Sequence, residues 1–262
     1  MDDLQYHVTD GVAWIRLNRP KSKNAFTIAM IDEWVRRLEE ASNDPAVGAI
    51  AVAGNGGSFC AGGDLSLIDN FNGEKSARAW KSLLWDHVHK VALTLETIDK
   101  PVIAAIAGSA VGAGMDMALM CDMRFASKSA KFCEGYIRIG AVPGDGGCYY
   151  LPRLVGVGKA LELLLSGEFL DADEALRIGL VNRVYEDSEL ETETQKFAAR
   201  LASLSPIALR TIKRATYQSL RMDLRSSLDL LSSHMGVVQT TEDAAEALKA
   251  FREQRAPKFK GR

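Results

Sequence analysis

The stretch from residue 108 to 150, GSAVGAGMDMALMCDMRFASKSAKFCEGYIRIGAVPGDGGCYY, sets acidic side chains, Asp116, Glu134 and Asp145 among them, beside glycine-rich backbone. Carboxyls move protons, and backbone N–H groups left open by glycine hold a developing negative charge. The pairing suits chemistry that passes through an oxyanion. A second segment, Ser58-Phe59-Cys60-Ala61-Gly62-Gly63-Asp64-Leu65, follows an apolar run, and its two glycines let a ligand come close to the backbone. It can supply one half of an oxyanion hole. Gly112-Ala113-Gly114 can supply the other, where a turn opens a helix whose free N–H groups and dipole favour negative charge.

Other chemistries fit less well. Gly112-x-Gly114 follows a strand and precedes Glu134 as part of a dinucleotide fingerprint would, but Met117 stands where the third glycine belongs. Cys133 and Cys148 have no histidine at a motif position beside them and read as packing residues, not nucleophiles. His87 and His89 are two apart on a helical pattern, so they point in different directions and form no i,i+4 ligand pair. No metal site is expected.

The rest of the chain must position these groups. Its 262 residues, 47% of them hydrophobic, allow one large domain or a main domain with a small appendage. Basic and acidic residues nearly balance at a net charge of -2, which argues against a nucleic-acid or anionic-membrane partner. The four cysteines show no CxxC spacing, the charged opening MDDLQYHVTD lacks a signal peptide's apolar stretch, and the apolar run 102–107 is far too short to span a bilayer. A cytoplasmic location is expected.

Short apolar runs at 12–17, 49–53, 102–107 and 180–184 read as buried strands. Between the first two, Ile28, Ile31, Trp34, Val35 and Leu38 recur at helical spacing. Residues 76–97 and 112–120 continue the alternation and predict an α/β core. Three helical stretches follow, at 188–203, 206–218 and 224–252, so the expected division is a core over residues 1–200 and a helical region over 201–262. Those helices could pack on their own core or join copies of the chain.

Leu17-Asn18-Arg19-Pro20, the segments 59–65, 100–122 and 140–158, EALRIGLVNRV at 174–184, and Ala250-Phe251-x-x-x-Arg255 with Phe259 together resemble the crotonase family of acyl-CoA enzymes, which includes enoyl-CoA hydratases and isomerases. The resemblance implies a spiral of ββα turns with a C-terminal helical trimerisation region, assembled as a homotrimer or a dimer of trimers. It assigns the oxyanion hole to the N–H groups of Gly63 and Ala113, which would hold a thioester oxygen. Ala61, Gly62, Asp64, Leu65 and Gly112 would line the substrate. Lys21 and Lys23 are candidates for the coenzyme A phosphates, and Lys260 beside Phe259 would help, within the chain or from a neighbouring subunit. No cofactor is implied beyond the coenzyme A of the substrate.

The departures from that family bear on the reaction. Hydratases of this type use two glutamates; the first corresponds to Asp116, a carboxylate on a shorter stem, and the second to Tyr136, which carries none. An ordinary phenol is a poor base at neutral pH. Glu134 would share a face with Tyr136 if the stretch is extended, and otherwise reads as a solvated glutamate. Asp145 offers a third carboxylate or a helix N-cap. Relatives that isomerise dienoyl-CoA or dehalogenate aryl-CoA substrates carry an aspartate one position earlier, where this chain has Gly144. Hydration is the expected reaction, with isomerisation, thioester hydrolysis and non-catalytic binding of coenzyme A as the alternatives.

Overall fold

The computed structural model describes residues 2–64, 66–67 and 76–262. Strands β1 (Leu4–Thr9), β2 (Val12–Leu17), β3 (Ala49–Gly54), β4 (Val102–Ile106), β6 (Met123–Ser127) and β9 (Arg183–Tyr185) form a six-stranded sheet in the order β1-β2-β3-β4-β6-β9. Only β1 and β2 pair antiparallel; the remaining pairs are parallel. A smaller sheet joins β5 (Ser109–Val111), β7 (Lys131–Cys133) and β8 (Leu170–Asp171).

Both faces of the large sheet are covered, which is why its central strands are almost uniformly apolar. Ile15, Ile50, Val52, Val102 and Ala104 face the main core, where helix α1 (Ile28–Asn43) lays Ile31, Trp34 and Leu38. Trp14, Ala49, Ala51, Ile103 and Phe125 face the other way, toward Leu190 and Ala198. Each large apolar side chain removed from water in this way contributes about 1.5–3 kcal/mol. Thr27 caps α1 by accepting a hydrogen bond from the Met30 N–H.

The expected helix over 76–97 is interrupted. Ser76 caps α2 (Ala77–Leu83), a π turn spans Leu84–Val88, and α3 (His89–Thr97) completes it. Next come α4 (Ala113–Leu119), α5 (Gly147–Val155), α6 (Val157–Ser166) and α7 (Ala172–Arg177). The strand expected at 180–184 begins only at Arg183, and Leu180 and Val181 are buried ahead of it.

Four helices close the chain: α8 (Leu190–Ala202), α9 (Pro206–Ser219), α10 (Leu224–Gln239) and α11 (Glu242–Arg252). The expected single stretch over 224–252 is therefore two helices, because Thr241 turns to cap the second by accepting from the Ala244 N–H. Helix α9 is tied to the core at Asp122, which pairs with Lys213 at 2.7 Å and accepts from the Tyr217 hydroxyl at 2.8 Å. Leu224, Leu228, Leu231 and Met235 along α10 stay exposed on this chain. Among the described residues no helix is long and apolar enough to cross a membrane.

Candidate active site

Two backbone segments meet to form the first half of the site. The Ala61 N–H donates to Lys23 O at 3.0 Å, Phe26 N–H to Gly62 O at 2.8 Å, and Asp64 N–H to Phe26 O at 2.9 Å. Phe26 thus bonds both neighbours of Gly63 and leaves the Gly63 N–H off the ladder. Buried Asn24 holds the preceding loop, donating from Nδ2 to Asn55 O at 2.9 Å and to Ser58 O at 2.7 Å. The Arg19 guanidinium pairs with Asp64 at 2.7 Å. The Ser66 hydrogen bonds, with that contact, hold the Asp64 carboxyl down at about 2. Asp64 therefore braces the loop.

Across from it, Val111 N–H donates to Cys60 O at 3.0 Å and Gly112 N–H to Cys133 O at 2.8 Å. These bonds deliver the chain into α4, whose first residue is Ala113. A side chain on Gly62 would begin 3.6 Å from the Ala113 nitrogen, so the two glycine-rich segments stand face to face. Neither the Gly63 nor the Ala113 N–H donates to a described residue.

One turn along the same helix stands Asp116, 0% exposed. Glu134 (1% exposed) and Asp145 (6% exposed) join it, and Tyr136 lies between the two aspartates. The Tyr136 hydroxyl is 2.7 Å from Asp116 Oδ2 and 2.9 Å from Asp145 Oδ2. A phenol has one proton to donate and accepts with its lone pairs. It can donate to one aspartate only, so the other contact needs a proton on that carboxyl. Each aspartate has its second oxygen, Oδ1, buried without a hydrogen-bond partner among the described residues.

Glu134 is neither extended nor solvated. The residues after it form a short 3-10 helix, Gly135–Ile139, so period-two facing with Tyr136 does not apply. Its carboxyl instead turns inward beside Asp116: a methyl built on Gly147 would lie 2.6 Å from Asp116 Oδ1 and 3.0 Å from Glu134 Oε2. Asp145 is not a helix cap, since Gly146 occupies that position of α5 without a side-chain bond.

Burial raises the pKa of all three carboxyls. For Glu134 the neighbouring Asp116 charge adds to that rise. For Asp116 the Tyr136 hydroxyl opposes the rise and the Asp145 charge adds to it. Asp145 is opposed by Tyr136 and by the charge of His89. Burial and both aspartates push the Tyr136 phenol well above its ordinary range. The phenol bridge therefore needs one aspartate as the anion and a proton on the other.

The remaining sequence candidates are distributed unevenly. Gly112 lies against the Tyr136 ring, which a methyl there would meet at 3.8 Å. Lys21 and Lys23 are exposed, with Lys23 directly beside Ala61. Leu65 lies outside the described residues. Phe259 and Lys260 belong to a tail fastened to Asp243, to which Lys260 N–H donates at 2.7 Å, and no hydrogen bond among the described residues joins them to the carboxyls. Sequence reasoning missed Gly147 and His89. The glycine run marked a turn but not its approach to Asp116, and the role of His89 depends on a π turn that has no local signature.

Residues 7–262 match the family model described as enoyl-CoA hydratase/isomerase. A crotonyl-CoA hydratase of Syntrophomonas wolfei is 36% identical over 95% of this chain and 94% of its own length. A short-chain-enoyl-CoA hydratase of Clostridium acetobutylicum is 38% identical over 93% of this chain and 92% of its own. The crystal structure of an enoyl-CoA hydratase from Bacillus anthracis superposes with a TM-score of 0.91 at 33% identity, covering 100% of both chains.

Proposed function

The chain belongs to the enoyl-CoA hydratase/isomerase family, as its motifs led one to expect, and from that premise we propose that it adds water across the double bond of an enoyl-CoA thioester. The observation that carries the reading is the Tyr136 bridge: each aspartate gives one oxygen to the phenol and keeps the other free. Hydration needs a base for water and an acid for the α-carbon, and here two carboxyls in opposite protonation states supply them without a second family glutamate.

The thioester oxygen sits between the N–H groups of Gly63 and Ala113, which stabilise the enolate as it forms. Asp116 takes a proton from water while the water oxygen bonds the β-carbon and the π electrons move toward the thioester oxygen. The enolate collapses and its α-carbon takes the proton of Asp145. Tyr136 then restores the starting state, passing its proton to Asp145 and taking one from Asp116. Glu134 stays protonated beside Asp116.

Ala61, Gly62 and Gly112 shape the thioester cleft, and Lys21 and Lys23 meet the coenzyme A phosphates. The apolar stripe of α10 supports assembly as a homotrimer or a dimer of trimers, with Phe259 and Lys260 completing a neighbour's site. The residue 1–200 core carries the chemistry and the 201–262 region the assembly. The reaction uses no cofactor beyond coenzyme A and takes place in the cytoplasm.

The test is incubation with crotonyl-CoA and with β,γ-enoyl- and dienoyl-CoA in deuterated water, followed by mass spectrometry. A 3-hydroxyacyl-CoA carrying one deuterium at the α-carbon supports the proposal. A moved double bond without a water adduct, or free acid alone, replaces it with isomerisation or thioester hydrolysis.

A further inference from the structure

We infer that His89 is a positioning residue that holds the loop carrying Asp145, and so sets the geometry of the acid. The inference rests on the acid role proposed for Asp145. His89 Nε2 lies 2.7 Å from the carbonyl oxygen of Gly144, the residue immediately before Asp145. A carbonyl only accepts, so the bond requires the proton on Nε2.

That contact ties the loop to the start of α3. Among the described residues, no backbone-to-backbone hydrogen bond involves residues 142–145, and Asp145 is otherwise held through its side-chain contact with Tyr136. A loop with three glycines in five residues, Gly144-Asp145-Gly146-Gly147 after Pro143, has little stiffness of its own. Fixing one carbonyl therefore decides where the next side chain stands.

The π turn explains how the histidine reaches it. His89 N–H donates to Leu84 O across five residues. In a regular α-helix two positions five apart point about 140° away from each other. The wider turn brings them closer to one face, and both meet the same residue: a methyl on Gly144 would lie 3.1 Å from Leu84 Cδ1. Leu84 packs the glycine while His89 bonds its carbonyl. Trp85 steadies the imidazole edge-on, with ring centroids 5.8 Å apart at 83°. His87 faces elsewhere and contacts Asp32 at 3.1 Å.

Steady-state kinetics on His89→Ala, Asp145→Asn and the double variant test the inference. A misplacement of about 1 Å costs on the order of 10²-fold in rate, so His89→Ala should lower kcat by about 10- to 100-fold with KM nearly unchanged. His89→Gln, whose amide can donate to the same carbonyl, should recover most of it. Because His89 acts through Asp145, the double variant should be no slower than Asp145→Asn alone. Multiplying losses, or an unchanged kcat in His89→Ala beside an impaired Asp145→Asn, would overturn the positioning role. An unimpaired Asp145→Asn would instead overturn the acid assignment on which it rests. If His89→Ala loses cooperative unfolding, His89→Asn, with a shorter reach, carries the same comparison against His89→Gln.

Discussion

Gly114 rests directly on the carbonyl of Cys60: a methyl at Gly114 would stand 2.1 Å from Cys60 O, nearer than two atoms can approach. The absent side chain lets α4 seat on the loop leading to Gly63, with nothing between the two backbones. Main-chain contact therefore helps to fix how the two unpaired N–H groups stand to one another.

Replacing Ala113 by proline isolates one of those donors. Proline at the first position of a helix removes an N–H that has no helical partner and costs the helix little. Ala113→Pro should lower kcat by about 10²- to 10³-fold while its thermal midpoint stays near that of the parent. Calorimetry and turnover on the same preparation check both halves.

Asp116→Asn should separate binding from chemistry. The amide keeps the shape and can still bond Tyr136 but cannot take a proton, so turnover should fall by about 10²- to 10⁴-fold. Affinity for the acyl-CoA, measured by titration calorimetry, should change little. Unchanged turnover would remove Asp116 from the mechanism.

The buried carboxyls give stability a defined pH slope. Their folded pKa values are raised, so the folded chain holds these protons more tightly than the unfolded chain does. Stability is then full below the ordinary carboxylate range and falls as pH rises toward the folded values. Glu134→Gln removes one such group, and at pH 8 it should raise unfolding free energy by about 1–3 kcal/mol and flatten the slope. Urea melts at several pH values check the sign; a steeper slope in the variant would contradict it.

Gly147→Ala should act on the site more than on the fold. Alanine is a better helix former than glycine, but its methyl would press on Asp116 Oδ1 at 2.6 Å and Glu134 Oε2 at 3.0 Å. We expect kcat to fall by roughly 10²-fold with an unfolding midpoint within a few degrees of the parent. Parallel kinetic and thermal assays measure this.

What could be read in advance follows the range of the forces involved. Strand β2 and helix α1 show themselves through apolar runs and 3.6-residue spacing that extend over their whole length. The two glycine-rich segments carry local signals as well, and they do face one another. Strands β5 and β7, three residues each, are too short to show a period, and they exist because β7 pairs with both β5 and β8. Glu134 was ambiguous because its burial depends on Gly147, thirteen residues away and adjacent only after folding. Asp145 looked like a helix cap because a carboxyl before a glycine-opened helix is one, until Tyr136 competes for it.

Three of the four cysteines, Cys60, Cys121 and Cys133, are buried, and burial pushes the first two up to about 12. Cys148 alone is exposed, and it follows Gly147 in the first turn of α5. A maleimide dye added to the folded protein would thus attach at a single native position next to the carboxyl cluster. The chain comes with its own labelling handle, one residue from the backbone that Asp116 touches, and needs no engineered cysteine for an optical readout of ligand occupancy.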